Sequence, residues 1–310
     1  MLPPSITLLT VIAAAVIPSS CSRHDDVLHV FILAGQSNMA GRGGVINTFD
    51  PTTNVTVSSW DGVVPPECSP DPYGRILRLS ANLTWVLAEE PLHADIDVNK
   101  TNGVGPGMAF ANEVLRRDPA RFRRIALVPC AIGGTRIAEW ERGGSLYGQL
   151  VKRAKAAMGV DGDSGARMEG LLWYQGESDT VEATDAARYK VNVERFFRDL
   201  RADLGMPSLP IFQVAIASAQ GPYMDAVRKA QFDVNTTNIQ TVDAKGLPLE
   251  PDHVHLTTLA EVQLGKMLAT AFLPSIPSPL PVAAGAAAVL NSLFFSFLTI
   301  LSQCMSFHFL

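Results

Sequence analysis

The chain has 310 residues, 47% hydrophobic and 18% charged, with a net charge of −5. That is enough apolar chain for one large domain with a full core. The acidic balance and the lack of any basic run exclude nucleic acid as an expected partner.

Residues 1–22 carry no Asp, Glu, Lys or Arg. Their apolar stretch, 8–17, is followed by Pro18-Ser19-Ser20-Cys21-Ser22. This reads as a secretory signal peptide with a small-residue cleavage zone. It is too short for a comfortable membrane span. Four Asn-x-Ser/Thr sequons, at Asn54, Asn82, Asn99 and Asn235, agree with secretion and glycosylation. Within the expected domain, 23–274, only Cys68 and Cys130 occur, and the sequence leaves open one disulfide or two buried thiols.

The first strand is the apolar run 27–34, which breaks at Gly35 and meets Gln36, Ser37 and Asn38. A serine just past the carboxyl end of a central strand suits a nucleophile, and that rim is where open α/β sheets bind ligands. The same residues also make an ordinary turn. Residues 41–106 are turn-rich and interrupted by Pro51, Pro65, Pro66, Pro70, Pro72 and Pro91. Short extended pieces at 55–57 and 76–79 break up what otherwise reads as a functional loop or lid.

The pattern then becomes regular. Helical periodicity covers 108–118, 146–158, 185–204, 224–234 and 257–272, and short apolar strands fall at 125–128, 170–174, 211–216 and 239–242. Strands alternating with helices predict a parallel sheet covered on both faces. Right-handed crossovers make it a three-layer α/β/α sandwich. No Gly-x-Gly-x-x-Gly follows a strand, so a dinucleotide fold has no support. The Pro-rich stretch 275–281 reads as a stiff linker. The tail 282–310 has no charged residue and fits a GPI signal, a membrane anchor or a plain extension.

A serine nucleophile needs a base, an orienting carboxylate and donors for an oxyanion. Gly133-Gly134-Thr135 follows the strand at 125–128. A glycine pair there lets backbone N–H groups approach a ligand closely, or simply turns the chain. Gln175-Gly176-Glu177-Ser178-Asp179 follows the strand at 170–174. Gln175 can offer a side-chain N–H at the same rim, and Glu177 can bind a substrate hydroxyl or brace the loop. Asp252 and His255 stand three apart before the last helix. That spacing lets Asp252 accept Nδ1–H and leaves Nε2 of His255 to take the serine proton. His253 is the rival base, expected to point the other way along an extended segment. Two histidines and a carboxylate also suggest a metal, but no third His or Cys stands nearby with ligand spacing. The expected site needs no metal or other cofactor. Gln36, Asn38, Arg136, Trp140, Trp60 and Glu177 are the candidates for substrate contact.

These motifs resemble those of the SGNH (GDSL-like) hydrolases. They look most like the branch of sialate O-acetylesterase-type proteins and plant carbohydrate acetylesterases. The matching residues are Gly35-Gln36-Ser37-Asn38-Met39-Ala40-Gly41, Gly133-Gly134-Thr135, Trp173-Tyr174-Gln175-Gly176-Glu177-Ser178-Asp179 and Asp252-His253-Val254-His255-Leu256. The resemblance implies a flavodoxin-like sandwich and ester hydrolysis with Ser37 as nucleophile, His255 as base and Asp252 as its partner. It implies an oxyanion hole from the backbone of Ser37, the backbone of Gly133 or Gly134, and Gln175, which stands where the wider superfamily has Asn. The expected function is removal of O-acetyl groups from oligo- or polysaccharides, at the cell surface or wall. The competing expectations are a polysaccharide O-acetyltransferase using the same residues and a catalytically silent glycan-binding protein.

Overall fold

The computed structural model describes residues 27–159 and 165–275. Backbone contacts separate one unit, Met1–Leu273, from another, Pro274–Leu310, and the first carries the fold described below. The expected signal peptide, almost all of the linker and the hydrophobic tail lie outside the described residues. Among the described residues, no helix is long and apolar enough to cross a membrane.

The apolar run after Val27 forms β1 (Leu28–Gly35), and all eight of its residues are buried. Such a strand must lie inside a sheet covered on both faces. One helical turn, α1 (Ser37–Ala40), follows, then an antiparallel hairpin of β2 (Val45–Asp50) and β3 (Val55–Trp60). The remaining strands are β4 (Ile76–Leu79), β5 (Trp85–Leu87), β6 (Arg124–Pro129), β7 (Ala166–Tyr174), β8 (Ile211–Ala215) and β9 (Ile239–Asp243). With β1 they form a seven-stranded sheet in the order β5-β4-β6-β1-β7-β8-β9. Every neighbouring pair is parallel except β4 and β5. Leaving aside the β4–β5 edge, the order is that of flavodoxin-like sheets. The chain places β6 on one side of β1 and β7 on the other. The loops leaving β1 and β7 therefore part at their carboxyl ends and open a crevice there.

On one face lie α2 (Pro106–Arg117) and α6 (Thr258–Ser275). Phe31 of β1 meets Phe110 of α2 and Phe272 of α6, each edge-on at 4.9 Å between ring centroids. On the other face, Trp173 of β7 packs on Phe196 and Phe197 of α4 (Ala183–Leu204). Beside α4 lie α3 (Ser145–Met158) and α5 (Met224–Phe232). The predicted sandwich is thus the observed one, with element ends shifted by a few residues. The turn-rich region contains two hairpins that its sequence showed only as extended fragments. Most residues of β2 and β3 are exposed, so their hydrophobicity does not alternate with a buried face. Cys68 and Cys130 are separate buried thiols, and burial pushes Cys130 up to about 11.

Helices α2 and α6 approach closely because Gly265 has no side chain. A Cβ there would stand 2.5 Å from the Pro106 carbonyl oxygen and 2.7 Å from Ala109 Cβ. Gly265→Ala gains helix propensity, about 1 kcal/mol. It is nevertheless expected to lower stability by about 1–3 kcal/mol through overpacking against backbone. The measurement is the urea midpoint, which should fall.

Candidate active site

The site begins where β1 ends. Gly35 has φ +130°, and a Cβ there would lie 2.0 Å from the Tyr174 carbonyl oxygen. Only glycine lets β1 run this close to β7 in that conformation. The Gln36 N–H donates to the same carbonyl at 2.8 Å. Ser37 then opens α1, where the first backbone N–H groups have no intrahelical acceptor.

The Ser37 side chain stands 3.0 Å from His255, Oγ to Nε2. His255 Nδ1 stands 2.6 Å from Asp252 Oδ2. The other oxygen, Oδ1, accepts the backbone N–H groups of Val254 at 2.9 Å and His255 at 3.0 Å. Partial burial pushes the Asp252 carboxyl up, but these donors and the imidazole outweigh it and hold it below its ordinary value. An ionised Asp252 accepts Nδ1–H and leaves Nε2 free to accept from Ser37. His253 sits in a turn at φ +58°, not in an extended segment, its backbone N–H donating to the Glu250 carbonyl at 2.9 Å.

Asn38 anchors the histidine loop. Its Oδ1 accepts the Leu256 N–H at 3.0 Å, and its Nδ2 donates to the Val254 carbonyl at 3.3 Å and to Glu177 Oε1 at 2.6 Å. His255 is therefore held from both flanking residues. Ser218 Oγ donates to the Val254 carbonyl as well, at 2.5 Å.

The glycine loop supplies the facing side. A Cβ on Gly133 would lie 3.5 Å from Ser37 Cβ, whereas one on Gly134 would meet nothing within 4 Å. Gly133 is thus the glycine beside Ser37. Its N–H donates to Asp97 Oδ2 at 3.2 Å, and Arg42 Nη2 donates to the same oxygen at 2.5 Å. Arg42 and Asp97 are both buried. The sequence reading missed this pair, although Arg42 directly follows the Gly-Gln-Ser-Asn-Met-Ala-Gly motif.

Several residues expected at the oxyanion hole or the substrate are buried. Gln175 is fully buried, and its Nε2 donates to Asp179 Oδ2 at 2.5 Å, to the Thr135 carbonyl at 2.9 Å and to Gln36 Oε1 at 3.2 Å. Its N–H groups, like that of Gly133, are taken by protein acceptors, and through them Gln175 braces the glycine loop. Gln36 is buried too, and its Oε1 also accepts the N–H groups of Gly176 and Ser178. Asn38 and Glu177 are buried against each other, and Trp140 packs on Trp173 while donating to Thr135 Oγ1 at 3.1 Å. All five side chains are buried within the protein. Arg136 is half-exposed and pairs with Asp185 at 3.3 Å.

Beside His255 and Asp252 opens a cleft of about 140 Å³, walled by the hairpin residues Val45, Asn47 and Ser58. Among the described residues, no group of three His, Cys, Asp or Glu side chains could hold a metal ion.

Residues 27–274 match the carbohydrate esterase family described as sialic acid-specific acetylesterase. The chain belongs to this family. It is 54% identical over 244 residues to the probable carbohydrate esterase At4g34215 of Arabidopsis thaliana, covering 79% of this chain and 90% of that protein. The X-ray structure of the Arabidopsis thaliana protein AT4G34215 superposes with a TM-score of 0.73 at 53% identity, over 80% of this chain and 99% of the other. The crystal structure of NanS shares the fold at 19% identity and a TM-score of 0.60, over 81% and 97% of the two chains. Family membership makes the protein a carboxylic ester hydrolase of the carbohydrate esterase type.

Burial raises Glu177 and Asp179 to about 7, from ordinary values of 4.5 and 3.8. Between about pH 4.5 and 7 the folded chain therefore holds protons that the unfolded chain releases. Stability should fall as pH rises through that window and level off above it. Glu177→Gln is expected to flatten the slope. Urea midpoints taken across the window test this, and an unaltered slope would count against a protonated Glu177.

Proposed function

We propose that this esterase removes O-acetyl groups from oligo- or polysaccharides through an acetyl-enzyme intermediate on Ser37. The observation that carries this reading is the Ser37–His255–Asp252 relay, 3.0 Å and 2.6 Å long, opening on a cleft. The family description supports acetyl as the group removed.

His255 Nε2 takes the Ser37 proton as Oγ attacks the acetyl carbonyl. Asp252 stabilises the imidazolium that forms. The negative charge on the former carbonyl oxygen faces the Ser37 N–H and the Gly133 N–H, which turns to it from Asp97. Arg42 offsets the charge of Asp97 beside that position. His255 then protonates the departing sugar hydroxyl. Water, activated by the same imidazole, attacks the acetyl ester and releases acetate, and Ser37 regains its proton.

Ser37→Ala is expected to abolish acetate release from a panel of acetylated glycans while the urea midpoint stays near wild type. Asp252→Asn should reduce turnover by about 10³–10⁴-fold, because the imidazole is then held in the wrong tautomer. Acetyl groups recovered on an acceptor sugar instead of as free acetate would move the assignment to transfer. Asn38→Ala should lower kcat by about 10–100-fold, since a displacement of about 1 Å in the base costs on that order. It should affect KM much less, and steady-state kinetics on one acetylated glycan separates the two constants.

A further inference from the structure

The β2–β3 hairpin stands outside the main sheet, and one of its faces lines the cleft that holds His255 and Asp252. Side chains alternate across a strand, so Val45, Asn47 and Phe49 of β2 share that face. The register pairs Val45 with Trp60, Asn47 with Ser58 and Phe49 with Thr56. Ser58 Oγ donates to Asn47 Oδ1 at 2.6 Å, which leaves the Asn47 NH₂ group free to donate. Thr101 Oγ1 ties the hairpin to the neighbouring loop through the Ser58 carbonyl at 3.2 Å. Lys100 of that loop also lines the cleft.

The cleft face therefore runs outward from Val45, through an amide and a hydroxyl, to Phe49, whose side chain is 57% exposed. A strand rises about 3.3 Å per residue, so Phe49 lies about 13 Å beyond Val45. Phe49 thus stands beyond the residues that line the cleft beside His255. A pyranose ring has one apolar C–H face and a rim of hydroxyls. An exposed aromatic beside an amide and an ammonium group matches both parts.

We infer that this face is a subsite for a sugar unit neighbouring the acetylated one. Phe49 stacks on its C–H face, and Asn47 and Lys100 donate to its hydroxyls. The substrate class is then an acetylated oligo- or polysaccharide rather than an acetylated monosaccharide. The inference rests on the esterase reading above.

The test compares acetylated xylo-, cello- and manno-tetraose with the matching acetylated methyl monosaccharides, using the faster-cleaved series. Wild type should favour the tetramer in kcat/KM, mainly through KM. Phe49→Ala should shrink that preference about tenfold, as expected for losing part of the burial of one aromatic ring. Phe49→Trp should retain the preference. Ile46→Ala, on the hairpin's opposite face, should leave it at the wild-type value. A wild type without tetramer preference, or a Phe49→Ala variant that keeps it, overturns the subsite. Hydrolysis of 4-nitrophenyl acetate in the same preparation shows that only the subsite has failed. If wild type cleaves neither that ester nor any of the sugars, the esterase reading falls, and the subsite with it.

Discussion

The reacting pair is joined by one partly buried hydrogen bond between residues 218 positions apart. Such a bond contributes about 1 kcal/mol, too little to hold two loops in register. The register comes from Asn38. Its amide bonds the backbone on both sides of His255 and is itself fixed by the buried carboxyl of Glu177. Every part of this amide lies away from solvent, so its hydrogen bonds are costly to break and have no water to compete with. Gln36 acts in the same way on the other side, its carbonyl oxygen collecting N–H groups from the loop after β7. Ser37 thus sits between two clamps, one for each of the loops that meet at the crevice.

The glycine loop is held by a second set of bonds. Asp179 accepts the Ile137 N–H at 3.0 Å, Gln175 donates to the Thr135 carbonyl and Trp140 donates to the Thr135 hydroxyl. From the opposite direction, Asp97 grips Gly133 while paired to Arg42. Arg42 is further tied to Asn102 Oδ1 at 2.9 Å and the Gly41 carbonyl at 2.8 Å. A buried ion pair gains little net stability over apolar residues, so its value here is positional. It holds the Gly133 backbone in place beside Ser37.

The sheet and its large helices were legible from their burial pattern: eight consecutive buried positions in β1, apolar apart from His29, and Tyr189, Val193, Phe196, Phe197 and Leu200 on one side of α4. Asp252 and His255 were legible because their partnership is local, three residues apart in a single turn. The bracing contacts of Gln175, Gln36 and Trp140 were not legible because a polar residue after a strand looks the same whether it faces a ligand or a neighbouring loop. Only the packing of the loops after β1, β6 and β7 decides which. Asp97 was invisible for a related reason. It lies in an irregular segment, and its partners Arg42 and Gly133 are 55 and 36 residues away. The β2–β3 hairpin escaped because its strands bury almost nothing in the core.

Carboxyl groups of one chemical type are sorted here into two states by their surroundings. Asp252 lies at the surface, receives two backbone N–H groups and an imidazole, and is held in the ionised form. Glu177 and Asp179 lie beneath the loops with amides as neighbours, and burial favours their protonated form. Glu90, near the same turn, is pushed by burial to about 8, despite donors from Leu92 and Gly105. A charged carboxylate under Ser37 would oppose the negative charge that builds on an acyl oxygen during attack. A neutral one accepts the Asn38 amide without that repulsion. Exposure and its donors thus keep Asp252 an anion where it steers a proton, Arg42 balances the buried carboxylate of Asp97, and burial favours the neutral form of Glu177 and Asp179.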